Sequence, residues 1–350
     1  MEFGVAFPSR IGDYKLVELA ESLGYNQAWF FDSQMIYSDI YATMALAAHH
    51  TKRIKLGTGV AIPSTRIAPV IAHSIATIAE LAPGRVELGL GNGNTARLTM
   101  GVPPVKLSVM RKEIKVIKEL LSGNKVLHEY EDEKNLIQFL HPKKNFINLD
   151  HHIPITLSAF GPKTLAFCAE KCDGHLTWNI SQEHLEANRK TIMESARKAG
   201  RHHTIPTKGI FPLAILNPDE TASSTAILEA VGPFITNLLH VLCEWDDNLL
   251  PEDPKISNLA KQYRKYVDSI PKNERHIILH EGHLIYTRPE EEKFITSEIA
   301  EVAAMIGHPD EIIEKIKNLE KKGLSHFAFQ VTNRPEDQIR NFAEKIIEKY

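Results

Sequence analysis

Cysteine is scarce in this chain: three in 350 residues, Cys168, Cys172 and Cys243. Three thiols cannot build a disulfide framework, and a reducing cytoplasm is the compartment expected. An excess of one charge is missing too. Lys and Arg number 41 against 44 Asp and Glu, a formal net charge of −3, which leaves no electrostatic case for nucleic acid or an anionic membrane surface. The apolar runs suggest no membrane span, and Met1-Glu2-Phe3-Gly4-Val5 lacks the basic and apolar segments of a leader peptide. No short-period internal repeat is visible.

Two nucleotide motifs are absent as well. Gly89-Leu90-Gly91-Asn92-Gly93-Asn94 fails the dinucleotide fingerprint because Asn94 stands where the last glycine is needed, and no Gly-Lys-Ser/Thr follows to make a P-loop. Metal motifs are incomplete. His280-Glu281-Gly282-His283 misses the H-E-x-x-H spacing by one residue, and the pairs His49-His50, His151-His152 and His202-His203 are adjacent, which seldom lets two rings point at one ion. Cys168 and Cys172 share a helix face with no second ligand pair, so no metal is expected.

What the chain does have is a repeated alternation of strand and helix. Phe3, Val5 and Phe7 alternate as in a strand, and Tyr14–Leu23 follows with helical spacing. Gln27–Phe31 and Ile40–His49, Ile54–Val60 and Ala68–Leu81, then Val86–Leu90 and Val105–Leu121 repeat the pattern. It resumes with a strand over Ile153–Ser158 and a helix opened by Gly161-Pro162, a strand over Gly174–Trp178 and a helix over Gln182–Ala199, and a strand over Lys208–Ile215 and a helix starting near Asp219. The last unit pairs His326–Val331 with Pro335–Lys349. Eight strands, each followed by a helix, imply a (β/α)8 TIM barrel, with an open doubly wound sheet as the rival. One domain over 1–350 is expected, with insertions after strand four (125–152) and after strand seven (231–290, a helical cap). Within the first insertion, Leu136–Leu140 and Phe146–Leu149 read as short strand-like runs.

Barrel chemistry belongs at the strand C-termini. Those ends carry Pro8-Ser9, Asp32-Ser33-Gln34, Gly57–Val60, Gly91–Asn94, Ser158-Ala159-Phe160-Gly161 and Thr177-Trp178-Asn179. They are rich in glycine and small polar groups and poor in ionisable pairs. Glycine at a strand end lets the backbone approach a flat or anionic ligand without an intervening Cβ. Gly161-Pro162 opens a helix whose free N–H groups suit an anion, with Lys163 beside them; an ordinary Pro-started loop explains the same residues. An aldolase-type barrel would need an inward lysine at a strand end, and Lys55, whose parity is ambiguous, is the residue considered for it.

Trp29-Phe30-Phe31-Asp32-Ser33-Gln34, Thr51 through Val60, Ala82 through Gly91, Gly161-Pro162-Lys163-Thr164 and Ala169-Glu170-Lys171-Cys172-Asp173-Gly174 together resemble the bacterial luciferase-like superfamily. Ile306-Gly307-His308-Pro309-Asp310-Glu311 extends the likeness, which is nearest to the branch of methylenetetrahydromethanopterin reductase. The resemblance implies a TIM barrel holding FMN or the deazaflavin coenzyme F420, FMN being placed slightly ahead. It implies a non-prolyl cis peptide at Gly59–Val60 beneath the ring, with Thr58 beside it. It implies ring or ribityl contacts at Gly91, Asn92, Gly93 and Asn94, and at Trp178, and a phosphate at Ser158, Ala159, Phe160, Gly161 and Pro162. Many deazaflavin relatives carry Asp-His after strand two; here the pair is Asp32-Ser33, so Asp32 and Ser33 are the expected polar contacts to ring or substrate. His280 and His283 are the candidate proton donors from the cap.

The expected activity is therefore two-electron oxidation–reduction of a small organic substrate, by monooxygenation or hydride transfer; the resemblance also implies a homodimer, for which the apolar faces of Ile40–His49 and Ala68–Leu81 are suited, although packing inside the chain explains those faces equally well. A separate flavin reductase is an expected partner if the cofactor is FMN. A non-catalytic flavin-binding barrel of the same superfamily is the alternative.

Overall fold

Short apolar runs that stop at glycine or proline suit strands buried on both faces. In the computed structural model, which describes residues 1–244, 246–247 and 250–350, such runs form β1 (Glu2–Phe7), β2 (Gln27–Phe30), β3 (Lys55–Thr58) and β4 (Val86–Leu90). After a hairpin of β5 (Val126–Tyr130) and β6 (Glu133–Ile137) come β7 (Ile155–Ser158), β8 (Gly174–Trp178) and β9 (Thr207–Ile215). The chain ends its sheet with β10 (Met305–Gly307) and β11 (Leu324–Gln330). β9 pairs with both β8 and β11, which closes β1, β2, β3, β4, β7, β8, β9 and β11 into an all-parallel barrel.

Helices cross between successive strands on the outside: α1 (Tyr14–Ser22), α2 (Ile40–His50), α3 (Ala68–Leu81), the short α4 (Asn94–Leu98) and α5 (Leu107–Leu121) in the first half. The second half has α6 (Pro162–Lys171), α7 (Gln182–Lys198), α8 (Thr225–Leu242), α9 (Pro254–Ser269), α10 (Arg275–His280), α11 (Ser297–Ala303), α12 (Pro309–Lys321) and α13 (Pro335–Lys345). Val5, Leu56, Leu88, Ile155 and Phe327 bury their side chains against this ring. A second apolar cluster joins Trp29, Leu176, Ile210 and Ala328 of the barrel strands to α8, α9 and α11 of the cap.

The first insertion differs from the expected runs at Leu136–Leu140 and Phe146–Leu149. Its strands are β5 and β6, antiparallel and paired from Val126↔Ile137 to Tyr130↔Glu133. Glu131 and Asp132 make the two-residue turn with φ of 50° and 64°. Hairpin turns of this kind usually announce themselves with Asn-Gly, so Glu-Asp hides the signal. The helix expected to start near Asp219 starts at Thr225 as α8 and runs past 231 into the expected insertion, where α9 and α10 follow. α8 also corrects the expectation that no apolar run reaches membrane-spanning length: it is 18 residues with mean hydropathy 1.4, half of it buried within the protein. β10 was not foreseen as a strand; three residues are too few to show a period, and it forms by pairing with Leu213–Ile215 of β9.

The floor of the barrel is polar. Glu87 of β4 is ion-paired to Lys208 of β9, takes a hydrogen bond from Gln27 Nε2 (2.9 Å) and another from Thr156 Oγ1. Lys208 Nζ also donates to Gln27 Oε1 (3.2 Å) and lies 5.4 Å from the Trp29 ring centre. Trp29 Nε1 donates to His326 Nε2 (3.1 Å). A Cβ on Gly57 would fall 2.7 Å from the Trp29 ring, so only glycine leaves room for the indole there. Lys55, the lysine considered from sequence, faces outward, exposed and paired with Glu2 at 3.1 Å. The inward lysine is Lys208, held below the cavity by its carboxylate.

Candidate active site

The C-terminal strand ends converge on one cavity of about 1710 Å³. Phe31, Asp32 and Ser33 follow β2; Gly59, Val60 and Ile62 follow β3; Gly91 through Ala96 follow β4. Ser158 and Phe160 enter from the end of β7, Trp178 from β8, and Phe234, Leu238 and Val241 from α8. α11, β10 and α12 make the far wall, through Val302, Ile306 and Glu314 among others.

The glycine ends are pinned by backbone bonds rather than by side chains. The Gly59–Val60 peptide is cis. Gly59 N–H donates to the Phe30 carbonyl at 2.6 Å, Ala61 N–H to that of Gly89 at 2.8 Å, and Gly91 N–H to that of Ala61 at 3.1 Å. Gly93, with φ of 73°, turns the chain into α4, so Asn94 is the first residue of a helix instead of the tail of a loop.

Asp32 has a more defined place than the sequence suggested. Both its oxygens accept from Arg66 Nη1 (3.0 and 2.7 Å), and Arg66 Nη2 donates to Asp39 Oδ2 (2.6 Å). Asp39 in turn caps α2 through the N–H groups of Tyr41 and Ala42, each at 3.0 Å. Arg66, which sequence reasoning missed, thus ties the loop after the cis bond to the loop after β2. Burial pushes the Asp32 carboxyl above its ordinary value, against the pull of Arg66. The pair fixes Asp32 as an anchor. Ser33 remains the open polar group at this edge.

Arg66→Met should expose that anchoring. A buried acid with a raised folded-state pKa binds more protons folded than unfolded, so its stability falls as pH rises through that window. Without Arg66 the Asp32 value rises further. The variant should lose stability as pH climbs from about 4 towards 7, by about 1.4 kcal/mol per unit of added shift, in urea melts; parallel wild-type and variant curves would refute the coupling.

The expected site residues fall into two groups. Asp32, Ser33, Gly59, Val60, Gly91, Asn92, Gly93, Asn94, Ser158, Phe160, Trp178 and His283 line the cavity. Thr58, Ala159, Gly161, Pro162 and His280 do not. Thr58 is fully buried beneath the floor and donates to the Gly89 carbonyl at 2.7 Å. Ala159 is buried, and its carbonyl bonds His175 Nε2 at 2.8 Å. Gly161 and Pro162 are exposed where α6 begins, at the cavity's edge. His280 sits one ring behind His283, their centres 5.7 Å apart.

His283 is buried, with Nε2 3.1 Å from Thr95 Oγ1 and no partner at Nδ1. Tyr37 Oη donates to its carbonyl at 3.2 Å. Burial, with His240 and His280 nearby, holds its imidazole well below the ordinary value, hence neutral at pH 7. Thr95 and Tyr37 carry no motif that sequence alone could have flagged. Among the described residues no group of three or more His, Cys, Asp or Glu is arranged to hold a metal ion. The cavity thus combines backbone at Gly59–Val60 and Gly91–Gly93, aromatic and aliphatic walls, charged side chains such as Glu301, Glu314 and Lys315, and the neutral imidazole of His283: a concave, partly apolar site of the kind that takes a small molecule.

The chain as a whole resembles known proteins. The family model described as luciferase-like monooxygenase matches residues 1–326. A 5,10-methylenetetrahydromethanopterin reductase of Methanolobus tindarius is 36% identical over 208 residues, 57% of this chain and 61% of that protein, so this match spans about three-fifths of the relative's length. The enzyme of the same name from Archaeoglobus fulgidus is 26% identical over 93% of this chain and 92% of its own. Among solved structures, the coenzyme F420 dependent tetrahydromethanopterin reductase from Methanopyrus kandleri superimposes with a TM-score of 0.74 at 21% identity, covering 100% of this chain and 99% of that one, a likeness of fold.

Proposed function

We propose a function from the premise that the chain belongs to the luciferase-like monooxygenase family: it is an oxidoreductase that uses the deazaflavin coenzyme F420 to transfer a hydride to a C=N, C=C or C=O bond of a small organic substrate. The observation that carries the reading is the convergence of Gly59–Val60, Gly91–Asn94, Ser158 and Trp178 on one cavity walled by Phe31, Phe234 and Leu238. The two sequence relatives are reductases by name, which supports hydride transfer over oxygenation. The Methanopyrus kandleri enzyme depends on coenzyme F420, which supports the deazaflavin over FMN.

In this reading Gly59 and Val60 lie under the ring and Gly91 through Asn94 along its side. The Ser158 hydroxyl and the free N–H groups at the start of α6 hold the phosphate, a place where a helix N-terminus favours negative charge. The bound coenzyme supplies the hydride. The protein's own residues do the rest: Trp178, Phe31 and Phe234, with ring centres 6.3 and 6.5 Å apart along the row, exclude water, and Ser33 orients the polar end of ring or substrate. A homodimer and a cytoplasmic location complete the proposal.

Titrating the purified protein with coenzyme F420 and with FMN, followed by absorbance and fluorescence, tests it. Saturable perturbation of the deazaflavin spectrum is the expected result. Binding of FMN alone would move the activity to oxygen chemistry with a partner reductase, and binding of neither would overturn the reading.

A further inference from the structure

The first insertion carries apolar surface that the cavity does not use. In its hairpin Leu127 and Leu136 stand opposite each other on one face, and they are 49% and 69% exposed. Leu140 (75%) and Phe146 (66%) follow where the chain leaves β6. The other face is anchored: Val126 is buried in the main apolar core, and Ile137 opposite it packs on that core. The insertion also lies on α3. The Phe139 ring centre is 6.4 Å from that of His73, and Asn148 N–H donates to the Ala76 carbonyl at 2.9 Å. Part of the α3 face suited to a dimer is therefore covered by the chain itself. On its outer side β5 stands beside α5, where Lys112 is 3.9 Å from Glu129. Among the described residues β6 has β5 as its strand partner and no second one. Tyr130 and Glu133 flank a two-residue turn. Such a turn is closed by a hydrogen-bonded pair, so the backbone groups of Lys134 and Leu136 point away from β5. Unpaired N–H and C=O groups beside an exposed leucine are a template for another strand.

We propose that β6 is a contact between two copies of this protein: their β6 strands pair antiparallel about a twofold axis near Asn135 and extend the two hairpins into one four-stranded sheet. A twofold contact uses the same patch on both copies, so the patch has to be complementary to itself. Three features are. The outward backbone groups of Lys134 and Leu136 meet those of the same two residues, in reverse order, on the second copy. The exposed leucines of both copies come to one face of the joined sheet, where cross-strand pairs stabilise it. The charges are sorted along the hairpin. Glu131, Asp132 and Glu133 stand at its tip, Lys125 at its base, and Lys143 and Lys144 in the turn beyond β6. Antiparallel apposition lays the acidic tip of one copy beside the lysine-bearing base of the other, whereas parallel apposition sets acid against acid. A third and fourth strand also give the hairpin the stability that two strands alone lack. The contact does not depend on the hydride-transfer reading; it gives the homodimer a face.

Size-exclusion chromatography with light scattering, on protein without coenzyme, tests the contact. Wild type should run as a dimer. Leu136 occurs twice at a twofold contact, so Leu136→Lys should raise the dimer dissociation constant about a hundredfold, about tenfold per copy. Its circular dichroism should match wild type, because the side chain is exposed in the single chain. Glu131→Lys/Glu133→Lys should weaken the dimer, and adding Lys143→Glu/Lys144→Glu should restore it. Ala42→Lys, on the exposed side of α2, should leave the dimer intact. A dimer split by Ala42→Lys and untouched by Leu136→Lys would overturn the proposal and move the contact to the helices. Charge reversal without rescue would overturn the antiparallel arrangement. If Leu136→Lys fails to fold, the charge reversal and its rescue decide alone. A monomeric wild type would overturn the contact together with the homodimer; the coenzyme titration would stand unaffected.

Discussion

Replacing Lys208 by methionine should lower the unfolding free energy by about 3–5 kcal/mol. Lys208 is the charge partner of Glu87 inside the barrel, and the two side chains are 12% and 6% exposed. Methionine fills most of the volume and keeps the packing on Trp29, so the loss comes from the carboxylate left behind. Gln27 and Thr156 still donate to Glu87, but neither carries charge. The double variant Lys208→Met/Glu87→Gln removes the orphaned charge and should recover most of the stability, because a buried pair contributes little beyond mutual compensation. Urea unfolding of the two single variants and the double variant measures the cycle. Equal losses in Lys208→Met and the double variant would show that Lys208 acts by packing instead. Since neither residue lines the cavity, the double variant should also keep coenzyme affinity.

The second large effect is at Gly91. A Cβ there would fall 2.4 Å from Val60 Cγ2 and 3.6 Å from Ser158 Cβ. Valine is stiff at χ1, so Val60 cannot swing its methyl aside without moving the backbone. Gly91→Val should therefore push Val60 into the cavity floor and weaken coenzyme binding roughly a hundredfold, about 2.7 kcal/mol. Gly91→Ala should cost about a tenth of that ratio, roughly tenfold. Melting temperatures should change far less than affinity, since the cavity can absorb the displaced methyl. Fluorescence titration with the coenzyme that the spectral test selects gives both constants. Wild-type affinity in Gly91→Val would mean that the ring does not rest on Val60.

Much of this architecture is legible in one sequence. The eight apolar runs and the helical spacing between them depend on local period, which tertiary packing reinforces here and does not override. The glycine-ended strands are legible for the same reason: a floor made of backbone has to be written as glycine at Gly59, Gly91 and Gly93. Side-chain partners were harder. Lys55 and Lys208 are both lysines in short parallel strands, and one faces solvent while the other faces Glu87. Both faces of such strands are buried by neighbours, so hydrophobic alternation is blurred and parity is lost.

Asp32 illustrates the remaining gap. Its position after β2 marked it as a site residue, but its role as an anchor depends on Arg66, 34 positions along the chain. His280 and His283 were legible as a pair and not as two different places. Only the folded cap puts His283 on the cavity and His280 behind it. What the chain alone determined is the barrel, the glycine floor and the family likeness, because each is set by neighbours within a strand–helix unit. What the tertiary structure decided is which charges are compensated and which polar atoms are left to act. Compensation is a matter of distances across the barrel and cap, and those close only when the whole sheet does.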